Sequence, residues 1–249
     1  VGVIFGSQFN ANWSEILLMF NAQSFGTTDP QFGLDNGFYV FVLPGLKLVL
    51  AAVAMLLGVG LVFSVVTHVL MGGIRITMPV NGRGLFSITK RCRRQLGIWL
   101  MLNMFAWAVR QMIGVFDQLT VQGSRITGAS YTAVHANIPV TFIMAALTAI
   151  LGVVLGIWLM RSHTLEGQAS IGVRASAALK AWRVPVTSIA VVVVVGLVLT
   201  VAWPVLLQRF RVNPNAQEME STYIQRNIDA TRAAYGLDKL KTEQYKVTD

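Results

Sequence analysis

Residues 126–160, ITGASYTAVHANIPVTFIMAALTAILGVVLGIWLM, form a run of 35 residues without one Asp, Glu, Lys or Arg. Two further charge-free runs, residues 48–74 and 184–208, contain 27 and 25 residues. A helix needs about 20 apolar residues to cross the ~30 Å hydrocarbon core of a bilayer. Each run is therefore long enough to span a membrane, and together they predict an all-α, polytopic membrane protein.

The composition supports the same class. Of the 249 residues, 54% are hydrophobic and 12% are charged, and the mean hydropathy is +0.60. A soluble domain carries about 25% charged residues, so neither a soluble fold nor a disordered chain fits. The net charge of +9 is concentrated in particular loops, which indicates membrane topology and argues against a nucleic-acid partner. The single cysteine, Cys92, excludes a disulfide framework within this sequence.

Hydropathy predicts four complete spans within residues 46–207. Their expected limits are residues 46–70, 96–116, 138–160 and 186–207. Ahead of them, residues 1–5 are expected to be the outer end of an earlier helix. Apolar residues at helical spacing predict an interfacial helix over residues 13–25, capped by Asn12 and followed by a turn-rich loop.

The distribution of Lys and Arg predicts the orientation of the chain. Residues 1–45 contain none, and the three successive loops, 73–95, 117–137 and 161–184, contain six, one and four. Basic residues concentrate in cytoplasmic loops, so we expect residues 73–95 and 161–184 to be cytoplasmic. The start of the chain and its tail, residues 208–249, are then extracytoplasmic.

The tail has an ordinary balance of charge and one amphipathic segment. An apolar stripe is formed by Ile224, Ile228, Thr231 and Tyr235. A single amphipathic helix cannot fold alone, so the stripe needs a partner that these residues do not supply. We expect residues 208–249 to begin an extracytoplasmic domain that continues beyond Asp249.

A polar stripe lies within the second predicted span. Asn103, Arg110 and Asp117 are spaced by seven residues, which places them near one helix face. An ionisable group inside a span is costly and suggests function. The alternative is that Arg110, ~10 Å below Asp117, snorkels towards the membrane surface. We expect its guanidinium to face protein, near Asp117 or a carbonyl oxygen.

Two other features concern the membrane rather than chemistry. Basic residues next to the second span are candidate contacts for anionic lipid head groups, or determinants of topology only: Lys90, Arg91, Arg93 and Arg94. Gly152 and Gly156 form a GxxxG pattern, which predicts a helix-packing face.

The sequence predicts no enzyme, cofactor or metal site. Gly128–Ser130 resembles the start of a nucleophilic G-x-S-x-G turn, but Thr132 occupies the final glycine position and no strand precedes it. The chain contains no H-E-x-x-H, no cysteine pair and no P-loop.

Three stretches resemble one family of large, uncharacterised integral membrane proteins typical of actinobacteria. Residues 25–44 resemble its FG..DP.F..D..FYVF.LP signature. Residues 128–136, followed by Pro139, resemble its G-x-x-Y-T-D loop, and residues 212–237 resemble its V.PNE…E..YI..NI..TR.AY.L block. Ala133 stands where the family pattern has Asp, and Ala216 where it has Glu. The resemblance implies a much longer protein with a large extracytoplasmic domain, and it implies no reaction.

Two functions remain open from these observations. One is a non-enzymatic scaffold in the lipid bilayer that anchors an extracytoplasmic domain and docks other membrane or extracytoplasmic proteins. The other is a transporter or channel subunit that uses the stripe of Asn103, Arg110 and Asp117. Transporters carry ionisable groups near the bilayer midplane and helices broken by Gly or Pro. Residues 138–160 and 186–207 contain no charge, so we favour the scaffold.

Overall fold

The computed structural model describes residues 2–76, 86–120, 128–162 and 171–237. Its helices are α1 (Gly2–Phe20), α2 (Leu43–Leu70), α3 (Lys90–Gly114), α4 (Ile138–Arg161), α5 (Ile171–Leu197), α6 (Trp203–Leu206) and α7 (Ala216–Ala234). Short π or 3₁₀ segments adjoin them at Phe38–Val42, Val115–Leu119, Ala133–Asn137, Val198–Ala202 and Leu207–Val212. In the described part of the chain, strands occur as one antiparallel pair, β1 (Ile74–Ile76) and β2 (Phe86–Ile88). The predicted all-α class is confirmed.

Four continuous helices are long and apolar enough to cross a membrane. They are span 1 (Phe38–Leu70), span 2 (Lys90–Leu119), span 3 (Ala133–Arg161) and span 4 (Trp182–Val212). Each encloses one predicted span and is longer than predicted, because helical backbone continues into the residues that flank it. The β pair joins spans 1 and 2 at one end of the bundle, the ribbon end. The opposite end is called the α7 end. There α1 packs against span 1, and α7 contacts the beginning of span 3 and the end of span 4.

Close packing of span 2 against span 3 depends on glycines. Gly97 and Gly156 face each other closely enough that a Cβ on Gly97 would lie 2.9 Å from the carbonyl oxygen of Gly156. Gly152 and Gly156 are both buried against span 2, beside Met104 and Met101. Small residues let membrane helices approach in this way.

The ribbon end differs from the predicted loop. Thr89 caps α3 by accepting a hydrogen bond from the Cys92 N–H, at 3.4 Å, so the second helix begins at Lys90 rather than residue 96. Cys92 packs with Ile88 and Leu96 in a small buried cluster. The basic residues predicted to lie in a loop therefore occupy the first turns of a helix.

Helix α1 is bent at Asn12, whose φ of −125° and ψ of 21° are not helical. The second half of α1 begins where the interfacial helix was predicted, but it ends at Phe20 rather than residue 25. It packs against the start of span 1, where a Cβ on Gly45 would lie 2.8 Å from the carbonyl oxygen of Glu15.

Residues 161–184 were predicted to form a loop, but the chain is helical from Ile171 onward. This helix, α5, continues through Pro185. A proline inside a helix removes one hydrogen bond, which membrane helices tolerate when nearby groups compensate. Separately, the Thr187 and Ser188 hydroxyls donate to the carbonyl oxygens of Arg183 and Pro185, at 2.6 and 3.1 Å.

Candidate functional site

The candidate site is the junction at which α7 meets the spans. Glu220 of α7 is 6% exposed, and its Oε2 accepts the Tyr131 N–H at 3.1 Å. Tyr131 lies in the first turn of the helix that becomes span 3, where N–H groups have no partner within the helix. The positive end of the helix dipole also favours a carboxylate there. Glu220 thus joins α7 to the beginning of span 3.

Aromatic side chains surround this hydrogen bond. The rings of Tyr131 and His135 stack, with their centres 4.0 Å apart, and Tyr223 of α7 approaches Tyr131 edge-on at 6.2 Å. The Arg211 guanidinium lies 5.8 Å from the centre of the Tyr131 ring, within the range of a cation–π contact. Tyr131 is therefore held by groups from span 3, span 4 and α7.

A loop between α1 and span 1 lies beside the junction and is organised by Asp29. The Asp29 carboxylate accepts N–H groups from Gln31, Phe32 and Leu34 at 2.7–3.1 Å, and the Tyr39 hydroxyl at 2.6 Å. Burial raises the pKa of Asp29, but the Tyr39 hydroxyl and the three N–H groups outweigh burial and lower this pKa overall.

Asp35 closes the same loop from its other end. The Ser24 hydroxyl donates to the Asp35 carboxylate at 2.5 Å, and the N–H groups of Phe25, Gly37 and Gly26 add three more hydrogen bonds. The Ser24 hydroxyl, followed by the N–H groups, lowers the pKa of Asp35 to about 2. Because the folded pKa is depressed, this stabilisation is present above pH ~4 and is lost as pH falls towards 2.

A cavity of about 910 Å³ opens between these parts, and we call it the junction pocket. Its walls come from the loop before span 1, the segment between spans 2 and 3, and α7. Residues that contribute to the walls include Phe25, Thr27, Thr28, Asn36, Val40, Leu119, Gly128, Tyr223, Arg226, Asp229, Ala230 and Ala234. The three stretches that carry the family resemblance, residues 25–44, 128–136 and 212–237, thus meet around one pocket.

The three side chains of the predicted polar stripe do not act together. Asn103 donates to the carbonyl oxygens of Leu57 and Trp99, at 3.1 and 2.8 Å. Asp117 forms an ion pair with Lys47 of span 1, at 2.8 Å.

Arg110 is exposed, and within the described ranges it makes no hydrogen bond or ion pair. Lys47 occupies the Asp117 carboxylate, and the expectation that the Arg110 guanidinium faces protein stays a prediction.

The basic cluster is divided by the turn of α3. Lys90, Arg91 and Arg94 are exposed, as contacts with lipid head groups require. Arg93 is only 1% exposed, unlike these three neighbours, and its role as a head-group contact stays a prediction. Successive helical residues point about 100° apart, and Arg93 falls on the inward side.

Two contacts were not predicted from the sequence, the ion pair of Lys47 with Asp117 and the hydrogen bond of Glu220 with Tyr131. Lys47 and Asp117 are lone opposite charges at the same end of neighbouring antiparallel spans, and that pattern is the signal that could have paired them. Glu220 is the glutamate of the E..YI part of the third family-like stretch, and that pattern is the signal that distinguishes it from its exposed neighbour Glu218.

The described residues place no three metal-binding side chains together, since no group of His, Cys, Asp and Glu among them could hold an ion. The junction instead combines a buried carboxylate, stacked aromatic rings and a pocket. These features define a class: a multi-span α-helical membrane protein with a helix docked on one end of its bundle.

Similarity to known protein sequences identifies the family. The model of an uncharacterised protein family, UPF0182, matches residues 1–249, and the chain belongs to this family. A UPF0182 protein of Bifidobacterium adolescentis is 79% identical over 248 residues, which are 100% of this chain and 23% of that protein.

More distant members cover the chain almost as fully. The UPF0182 protein Cgl0786/cg0896 of Corynebacterium glutamicum is 33% identical over 95% of this chain, and one of Kocuria rhizophila is 35% identical over 99%. The chain spans 22–23% of the length of these three relatives. No solved structure matches the chain.

Proposed function

We propose that this chain is a non-enzymatic membrane scaffold whose spans anchor an extracytoplasmic domain that begins at α7 and docks protein partners. The observation that carries the proposal is the buried hydrogen bond from the Tyr131 N–H to Glu220. A helix attached in this way has a defined position on the bundle, which a flexible linker would not provide. Whatever follows α7 is therefore held at a defined place above the membrane.

A surface for contacts remains free on α7. Its docked face carries Glu220 and Tyr223, and the apolar stripe runs beside that face, with Ile224 half-buried and the other three residues exposed. Within that stripe, Ile228 is 38% exposed and Tyr235 is 77% exposed. Exposed apolar side chains on an ordered helix favour a protein contact over a purely structural role.

The transporter alternative draws less support from the geometry. The Asn103 amide donates a hydrogen bond to the backbone carbonyl of Leu57, and Asp117 forms an ion pair with Lys47. These contacts fix the two side chains in separate structural roles, so neither provides a substrate path together with Arg110.

The scaffold and the transporter are distinguished by two measurements, crosslinking to protein partners and solute flux in liposomes. A photo-crosslinking residue at Ile228 of the full-length protein is expected to yield a discrete protein adduct in cells. The same residue at the lipid-facing Val193, which is 53% exposed, serves as a control that yields none. Solute flux by the purified protein in liposomes, abolished by Arg110→Ala, would contradict the scaffold and support transport.

The proposal also requires α7 to lie outside the cytoplasm. Cys92 is 0% exposed, so it cannot report sidedness, and the background is a cysteine-free full-length protein that includes Cys92→Ala. With an impermeant maleimide on intact cells, Ser221→Cys is expected to be labelled and Arg94→Cys to be labelled only after permeabilisation, because both positions are exposed. Labelling of position 94 alone in intact cells would reverse the orientation.

A further inference from the structure

We propose that the junction pocket binds one phospholipid, with the head-group phosphate at Arg226 and the acyl chains along the apolar side of the pocket. The proposal goes beyond the scaffold role and does not depend on it. It concerns the α7 end of the bundle, opposite the basic cluster of α3 at the ribbon end.

The position of the pocket favours an amphiphile. Val40 lies in the first turns of span 1 and Leu119 is the last residue of span 2. The ends of spans lie where hydrocarbon gives way to head groups. Above them, the walls carry the Thr27 and Thr28 hydroxyls and the Asn36 amide. The pocket therefore combines apolar walls at the ends of the spans with polar groups in the loop beside them, as a lipid site requires.

The charges select the head group. The Arg226 guanidinium lies 5.5 Å from the centre of the Tyr223 ring, and none of the described residues forms an ion pair or hydrogen bond with it. A guanidinium with free N–H groups suits a phosphate.

Carboxylates limit the negative charge that the pocket can accept. The Asp29 oxygens already accept four hydrogen bonds, so Asp29 has little capacity for a ligand. Asp229 uses Oδ1 to accept from Gln225 at 2.7 Å, which leaves Oδ2 for a donor. The α7 wall therefore fits a phosphodiester whose head group also carries an amine or hydroxyl, rather than a polyanion.

The volume of the cavity matches that of the head-group end of a phospholipid. A volume of about 910 Å³ falls within the range of roughly 300–1,000 Å³ that is usual for small-molecule sites. It holds a head group and the first part of two acyl chains, and the remaining methylenes would extend along the spans.

The experiment measures lipid retained by the full-length protein after extensive detergent washing, by native mass spectrometry and phosphorus assay. About one phosphatidylethanolamine or phosphatidylglycerol per chain is expected. Arg226→Gln is expected to reduce retention about fivefold, as loss of one basic contact with a head group implies. Arg232→Gln removes an exposed arginine from the same helix outside the pocket and is expected to change nothing.

A second variant tests occupancy of the pocket independently of charge. Ala230→Trp fills the pocket and is expected to abolish retention, with an unchanged melting temperature as the control for folding. Soluble glycerol phosphate, which has a phosphate but no acyl chains, is expected to bind at least tenfold more weakly than the lipid. Equal retention by all variants, equal binding of glycerol phosphate, or a peptide found in place of lipid would overturn the proposal.

Discussion

Glu220→Ala is expected to release α7 from the spans. The substitution leaves the buried Tyr131 N–H without its acceptor, 3.1 Å away in the native structure. A buried donor that loses its partner costs about 1–3 kcal/mol, and the contact between the Glu220 carboxylate and the helix dipole is lost as well. Hydrogen exchange of the amides in Ala216–Ala234 is expected to accelerate by roughly ten- to a hundredfold.

The matched control is Glu218→Ala. Glu218 lies on the same helix and carries the same charge, but its side chain is exposed, so exchange in α7 is expected to stay at the native rate. Glu220→Gln keeps an acceptor oxygen without the negative charge and is expected to give an intermediate rate. Native exchange in Glu220→Ala would mean that α7 is held by other contacts, and the scaffold proposal would lose its supporting observation.

Gly97→Ala is expected to separate spans 2 and 3. The added Cβ would lie 2.8 Å from Met160 Cγ and 2.9 Å from the Gly156 carbonyl oxygen. The methionine side chain can move, but the carbonyl belongs to the backbone of α4, so the helices must shift. Overpacking of this kind costs about 1–3 kcal/mol, which lowers the melting temperature in detergent by several degrees.

Gly114→Ala provides the control on the same helix. A Cβ at Gly114 meets nothing within 4 Å, so this variant gains the helix propensity of alanine, about 1 kcal/mol, without a clash. We expect it to melt at or above the native temperature. If the two variants melted together, the close approach at Gly97 would not determine how the spans pack.

The hydropathy pattern was sufficient for the class of protein and for the four spans. Runs of apolar residues such as 126–160 have few alternatives, because a backbone in lipid must satisfy its own hydrogen bonds as a helix. The same pattern underestimated the helix lengths. Polar residues at helix ends, such as Lys90 and Thr89, form helical turns and caps that hydropathy does not detect.

The candidate site was predictable only in part. The residues of the third family-like stretch indicated a helix in the tail, and α7 occupies Ala216–Ala234. Sequence periodicity placed the apolar stripe at Ile228 and Tyr235, yet α7 docks through Glu220 and Tyr223. A helical pattern shows which residues share a face, but not which face a neighbouring element covers.

The amino-acid sequence by itself determined that the described residues include four helices long and apolar enough to cross a membrane, because a long apolar run favours lipid and a backbone in lipid must satisfy its own hydrogen bonds. Only the tertiary structure decided which polar groups pair. Asp117 meets Lys47 rather than Arg110, and Arg93 is buried while Arg94 is exposed. Those outcomes depend on the rotation of each helix and on the distance between helices, which are set by packing at glycines such as Gly97 and Gly156.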